Sequence, residues 1–232
     1  RLTGYNNSNP DGTTTEVVVE VVPEVIIYVD AGSTNPVPPY TNLSTAATNI
    51  QDGIDAAVLR GSTVLVADGV YDKGVYGNDY GSNRIMINKP IIVKSANGPS
   101  KTYIVGDYSR KVRCVFMTNG AVLSGFTIMS GKCTANSGTK NGGGVFGSSL
   151  FAVVTNCVLT NNYGRNGGAA YNCSIYNSII ITNSAYYGGG GAYSSALYNC
   201  VLSYNSAWNY GGGAYSSTLV NCTVSKNCAS HY

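Results

Sequence analysis

Apolar residues fall two apart in short runs along this chain, and from residue 156 those runs repeat. Copies begin at Asn156, Asn177, Asn199 and Asn221, at spacings of 21, 22 and 22 residues. Cys157, Ser178, Cys200 and Cys222 share one column, and Leu159, Ile180, Leu202 and Val224 share the next. Asn162, Asn183, Asn205 and Asn227 form a third column. Glycine runs follow at 167–168, 188–191 and 211–213, then Tyr171, Tyr193 and Tyr215, then Ile175, Leu197 and Leu219. A period of this length marks a solenoid, whose coils bury their apolar side only by stacking on one another.

Columns two apart have strand spacing, so Val158 and Val201 face away from their neighbours. No stretch between the glycines is long enough for paired helices. The pattern predicts an all-β fold: a right-handed parallel β-helix with coils of about 22 residues and two or three short strands per coil. Coils would stack about 4.8 Å apart, with the right-handed crossover usual for parallel strands. The column Asn162, Asn183, Asn205 and Asn227 predicts an inward asparagine ladder, each amide bonding its own turn and the next coil.

Upstream the pattern loosens. Residues 1–15 are polar and turn-rich and read as flexible. A β-forming run from Glu16 to Val29 is broken only by Pro23. Thr48 to Leu59 has helical spacing and predicts a short helix. Strands are expected at 63–67, 85–87, 90–94, 103–105, 114–117 and 126–129. Two regions result: an extended N-terminal arm over 1–29, and a β-helix over 30–232 with a capping helix near 48–59.

Charged residues make up only 11% of the chain, and the net charge of +3 is spread thinly. Such a surface is polar and aromatic rather than basic, which argues against nucleic-acid binding. No apolar stretch is long enough to span a bilayer. The chain starts at Arg1 without Met and reads as a mature or trimmed product. Seven cysteines cannot all pair internally. The column that also accepts Ser178 favours small buried side chains over disulfides, whereas a Cys114–Cys133 bridge stays open. With one histidine and no CxxC, no metal or cofactor site is expected.

The segments YVDAG, NIQDGIDAA, STVLVADGVY, NKPIIVKSANGP and CVFMTNGAVLSGFTIMSG, with the repeat NC-x-[LV]-x-x-N and GGGAYSS, resemble secreted bacterial right-handed β-helix repeat proteins. These belong to the pectate-lyase-like superfamily, beside polymorphic outer-membrane-protein repeats. The resemblance covers roughly residues 26–227 and is specific for fold rather than activity. It implies a secreted, extracellular or cell-surface location and a short helix capping the first coil. It also implies that any enzyme of this fold would act on polysaccharide, using clustered carboxylates or carboxylate-bound calcium with an Arg or Lys base.

All eleven acidic residues lie at or before Asp107, so the regular coils carry no general acid, base or calcium ligand. No catalytic residue is assigned. A chemical site, if present, would fall near Asp68, Asp72 and Asp79 with Arg84 or Lys73. Tyr163, Tyr187, Trp208 and Tyr210, with Tyr186, precede the glycine runs and predict an aromatic stripe able to stack on sugars or a partner, or to pack on itself. Asn6 and Asn42 head candidate glycosylation sequons in loops.

The last repeat stops before its glycine run, leaving a β-helix edge to be covered. The spare strand with Val17, Val18, Val19, Val21 and Val22 is suited to adding onto a neighbour. Together these predict a non-enzymatic structural subunit that joins copies of itself head to tail into a fibre or surface layer. The alternatives are an adhesin fragment that binds glycan or host protein, and a polysaccharide lyase or hydrolase.

Overall fold

The computed structural model describes residues 2–6, 9–15, 24–133 and 141–231. Within them the chain is an all-β parallel solenoid. Three long sheets run its length, of seven, eight and seven strands, and a shorter fourth sheet has four. The first is parallel except for its edge strand Tyr76–Asn78, which pairs antiparallel with Gly81–Ile87. It continues through Arg113–Met117 and Val145–Gly147 to Ala214–Tyr215. The second runs from Ile26–Val29 to Thr218–Val220, and the third from Gly69–Tyr71 to Thr223–Ser225. The fourth comprises Tyr163–Asn166, Ser184–Gly188, Ser206–Ala207 and Cys228–Ala229.

Register gives the coil lengths. Val64 pairs with Val93, Val93 with Leu123 and Leu123 with Val154, so the early coils take 29 to 31 residues. Val154 then pairs with Ile175, Ile175 with Leu197 and Leu197 with Leu219, at the 21- and 22-residue period of the sequence. Later coils carry four strands rather than two or three. The residues just before the glycine runs form the strands of the fourth sheet, paired through Tyr163 with Ser184 and Ala185 with Ala207.

The core is a stack of inward columns. Val64, Val93, Leu123, Val154, Ile175 and Leu197 are fully buried in one, and Ile104, Ile128, Leu159, Ile180 and Leu202 in another. Each such side chain contributes about 1.5–3 kcal/mol by leaving water. Val201 faces outward and is 40% exposed between buried Cys200 and Leu202. Corners turn through left-handed backbone: Asn156, Asn177, Asn199 and Asn221 all have φ between 49° and 54°. Asparagine tolerates that region better than most residues.

The helix α1 (Ile50–Ala56) packs across the strands Ile26–Val29, Thr63–Val66 and Gly81–Ile87. Asn49 caps it, its side-chain oxygen accepting the Asp52 N–H at 2.9 Å. Ile50 and Ile54 are buried beneath, and a side chain at Gly53 would come within 2.6 Å of Val29 Cγ2. Close contact at this turn therefore requires glycine.

Two N-terminal expectations change. The stretch read as flexible contains an antiparallel pair, Leu2–Asn6 with Asn9–Thr15, in which the β-branched Thr13, Thr14 and Thr15 suit a strand. Ile26–Val29, placed in the arm by sequence, is the edge strand of the second sheet. The expected assembly residues Val17, Val18, Val19, Val21 and Val22 lie outside the described residues.

Candidate functional site

The asparagine column is a continuous hydrogen-bonded ladder. The Nδ2 of Asn162, Asn183 and Asn205 donates to the Oδ1 of the next member at 3.0, 2.9 and 3.0 Å. Each also donates to a carbonyl of the preceding coil, on Ile128, Leu159 and Ile180. The amides of Asn162, Asn183 and Asn205 are thus buried and spent on the ladder. The left-handed angles belong to the residues just before it, Asn161, Thr182, Tyr204 and Lys226.

The column of Cys157, Ser178, Cys200 and Cys222 holds no disulfide, and the described cysteines are free. Cys114 and Cys133 are not bridged: the Cys114 thiol donates to the Met129 carbonyl at 3.1 Å, while Cys133 Sγ accepts from Arg113 at 3.0 Å. Burial pushes the Cys157 thiol up to about 11 and those of Cys114 and Cys173 to about 12, so they are inert as nucleophiles near neutrality.

The aromatic residues divide into two systems. On the outer face of the first sheet, rings stack coil over coil: Tyr80 on Phe116 at 5.4 Å, Phe116 on Phe146 at 5.8 Å, Phe146 on Tyr171 at 5.2 Å. Tyr171, Tyr193 and Tyr215 extend it at 5.6 and 5.4 Å. Tyr187 and Tyr210 meet edge to face at 5.3 Å, and Tyr210 stacks on Tyr215. Ring faces in this column are occupied by one another. Phe116 and Phe146 were not singled out by sequence, although each sits between two inward residues as Tyr171 follows Ala170.

Tyr163, Tyr186 and Trp208 instead line a shallow groove of about 220 Å³ across three coils, with Ser184, Ser206 and Ser230. Tyr186 is 58% and Trp208 52% exposed. Trp208 is held by His231 at 4.2 Å, and Tyr163 by Tyr108 at 6.1 Å. Lys132 Nζ lies 3.7 Å from the Tyr108 ring centroid. The predicted stripe thus splits: Tyr163 and Trp208 remain on the groove, and Tyr187 and Tyr210 join the self-stacked rings.

A larger cavity of about 460 Å³ opens beside α1, lined by Asn49, Gln51, Tyr71, Asp72, Lys73, Tyr76 and Arg84 among others. Of the residues named for a chemical site, Asp72, Lys73 and Arg84 come together here; Asp68 and Asp79 do not line it. Asp68 instead accepts from Asn97 at 3.0 Å. Burial raises Tyr76, helped by the charges of Asp52 and Asp55, and burial lowers Arg84. Tyr71, Tyr76, Asn49 and Gln51 arrive from separate segments, which no periodic signal in the sequence joins. Among the described residues no group of three His, Cys, Asp or Glu is placed to hold a metal, and no helix is long and apolar enough to cross a membrane.

Of the two sequons, Asn42 is exposed and caps a short 3-10 helix, its Oδ1 accepting the Ser44 N–H at 3.2 Å and hydroxyl at 2.9 Å. Asn6 ends its strand opposite Asn9.

No family model matches the chain, and no curated protein matches it. A crystal structure of Escherichia coli YbhC is similar over 91% of this chain and 74% of its own, with a TM-score of 0.46 and 10% identity.

Proposed function

We propose that this chain is a non-enzymatic extracellular scaffold that binds an extended glycan along its wall. The observation that carries this reading is the groove formed by Tyr163, Tyr186 and Trp208 beside Ser184, Ser206 and Ser230. The exposed side chains of Tyr186 and Trp208 on successive coils suit the C–H faces of sugars, and the hydroxyls suit their polar edges. The acidic residues stop at Asp107, so this wall has no carboxylate pair for cleavage. A glycan array tests the reading, with Trp208→Ala as the control. Binding that survives W208A, or no binding by folded protein, would overturn it. Cleavage of a bound polysaccharide would replace it with the lyase or hydrolase alternative.

End-to-end assembly is a second reading, favoured by a different observation. Leu219 and Val224 continue columns in which Leu197 and Leu202 are fully buried, yet they are 36% and 52% exposed. This surface matches another coil in register, whether supplied by a second copy or by further chain. In the fibre reading the strand with Val17 to Val22 joins the copies. Negative-stain microscopy of the protein with and without residues 1–24 tests it, because filaments that persist after the deletion exclude the strand as the joint.

A further inference from the structure

Arg84 is only 5% exposed, yet no carboxylate among the described residues lies within ion-pair distance of it. The one ion pair among the described residues joins Arg110 to Asp107 at 3.2 Å. Arg84 Nε donates to the Val105 carbonyl at 2.7 Å, one terminal nitrogen to Gly74 and the other to Gly106 at 3.4 Å. A guanidinium carries five N–H groups, so one remains undonated on each terminal nitrogen. The direct partners of Arg84 are all neutral carbonyls, and burial lowers its pKa, while the charges of Asp72 and Asp107 favour the charged form only from beyond contact.

Arg84 also lines the cavity beside α1. Lys73 stands at the same cavity and is exposed, and Asp72 next to it is the one acid among the described residues lining the space. Asp72 favours the charged form of Arg84 through space but makes no ion pair with the guanidinium. The volume of about 460 Å³ far exceeds that of a simple inorganic ion, and Ile50, Val70 and Ile85 share the walls with the rings of Tyr71 and Tyr76. A ligand there needs an apolar or ring-shaped body as well as a negative end.

We infer that the cavity beside α1 binds a small organic carboxylate, whose oxygens take the free N–H groups of Arg84 while its body lies against Tyr71 and Tyr76. A planar carboxylate matches the guanidinium fork better than a spherical ion does. The site is separate from the aromatic groove and does not depend on glycan binding there.

Calorimetric titration of the whole chain with benzoate and glucuronate, against their neutral counterparts benzyl alcohol and glucose, tests this. Each acid is expected to bind at least tenfold tighter than its neutral partner. Arg84→Gln should remove that preference. Because Arg84 also ties three loop carbonyls, Lys73→Glu gives a second test on an exposed residue. It should weaken both acids about tenfold, leave the neutral compounds unchanged and leave the circular dichroism and melting temperature as in the parent. Acids that bind no better than their neutral partners, or that bind K73E undiminished, would overturn the assignment. Binding to the Trp208→Ala protein should be unaltered, which separates this site from the groove.

Discussion

Asn205 Oδ1 receives two hydrogen bonds from Asn183, one from its Nδ2 at 2.9 Å and one from its backbone N–H at 3.0 Å. The Asn205 amide in turn donates to the Ile180 carbonyl at 2.8 Å and to Asn227 at 3.0 Å. Replacing Asn205 by alanine leaves the buried Asn183 backbone N–H and the Ile180 carbonyl without these partners, while Asn183 Nδ2 keeps Leu159 and Ile181. At about 1–3 kcal/mol for each unmet group, the loss is roughly 3 kcal/mol or more. Asn227→Ala, at a half-buried rung, should cost about half as much. Urea denaturation of the two variants checks the order, and equal costs would mean that the ladder does not act through burial.

A similar contrast separates two glycines. A methyl group at Gly190 would overlap the carbonyl oxygens of Ser206 and Gly212, whereas one at Gly77 meets nothing within 4 Å. Gly190→Ala must push neighbouring coils apart and should cost about 3 kcal/mol or more, while Gly77→Ala should stay within about 0.5 kcal/mol. Thermal melts of both proteins, compared with the parent, measure the difference.

The parallel solenoid was legible because its inward columns are large and apolar, as at Leu159, Ile180 and Leu202. The fourth sheet was hidden because its inward residues are Gly164, Ala185 and Ala207, which are buried but give no apolar signal. The early coils escaped the 22-residue period because longer excursions, such as 106–112, separate their strands. Buried arginines run against the usual expectation that charge is exposed, so the enclosure of Arg84 and Arg113 could not be read from spacing. The same holds for the cavity, which gathers Gln51, Tyr71 and Arg84 from three places in the chain.

The two aromatic systems should separate stability from binding. Tyr171 sits between Phe146 and Tyr193, with both ring faces covered. Tyr171→Leu keeps apolar bulk but loses the stacking, at about 1 kcal/mol beyond area. It should lower the melting temperature without altering glycan binding. Trp208→Ala should do the reverse, because its ring is half exposed. A common effect of both variants on either measurement would show that the rings form one unit.

The buried thiols set an alkaline limit on the fold. An unfolded cysteine loses its proton near pH ~8.5. In the fold Cys157 holds its proton to about 11, and Cys114 and Cys173 hold theirs to about 12. Above the unfolded value the folded state therefore binds more protons than the unfolded state, and stability must fall as pH rises. The contribution is complete below about pH 8.5 and declines by roughly 1.4 kcal/mol per pH unit for each thiol until the folded value is reached. Tyr71, raised by burial to about 12, adds to the decline once the pH passes the ordinary tyrosine value. The urea midpoint should be level from about pH 6 to 8 and drop steeply between about pH 9 and 10.5. Cys157→Ser removes one of the four thiols that burial raises, Cys200 being the fourth, and is accommodated in a column where Ser178 is native. It should lessen the thiol part of the drop by about a quarter if each thiol contributes equally. A slope that does not respond to this substitution would place the alkaline limit elsewhere in the molecule.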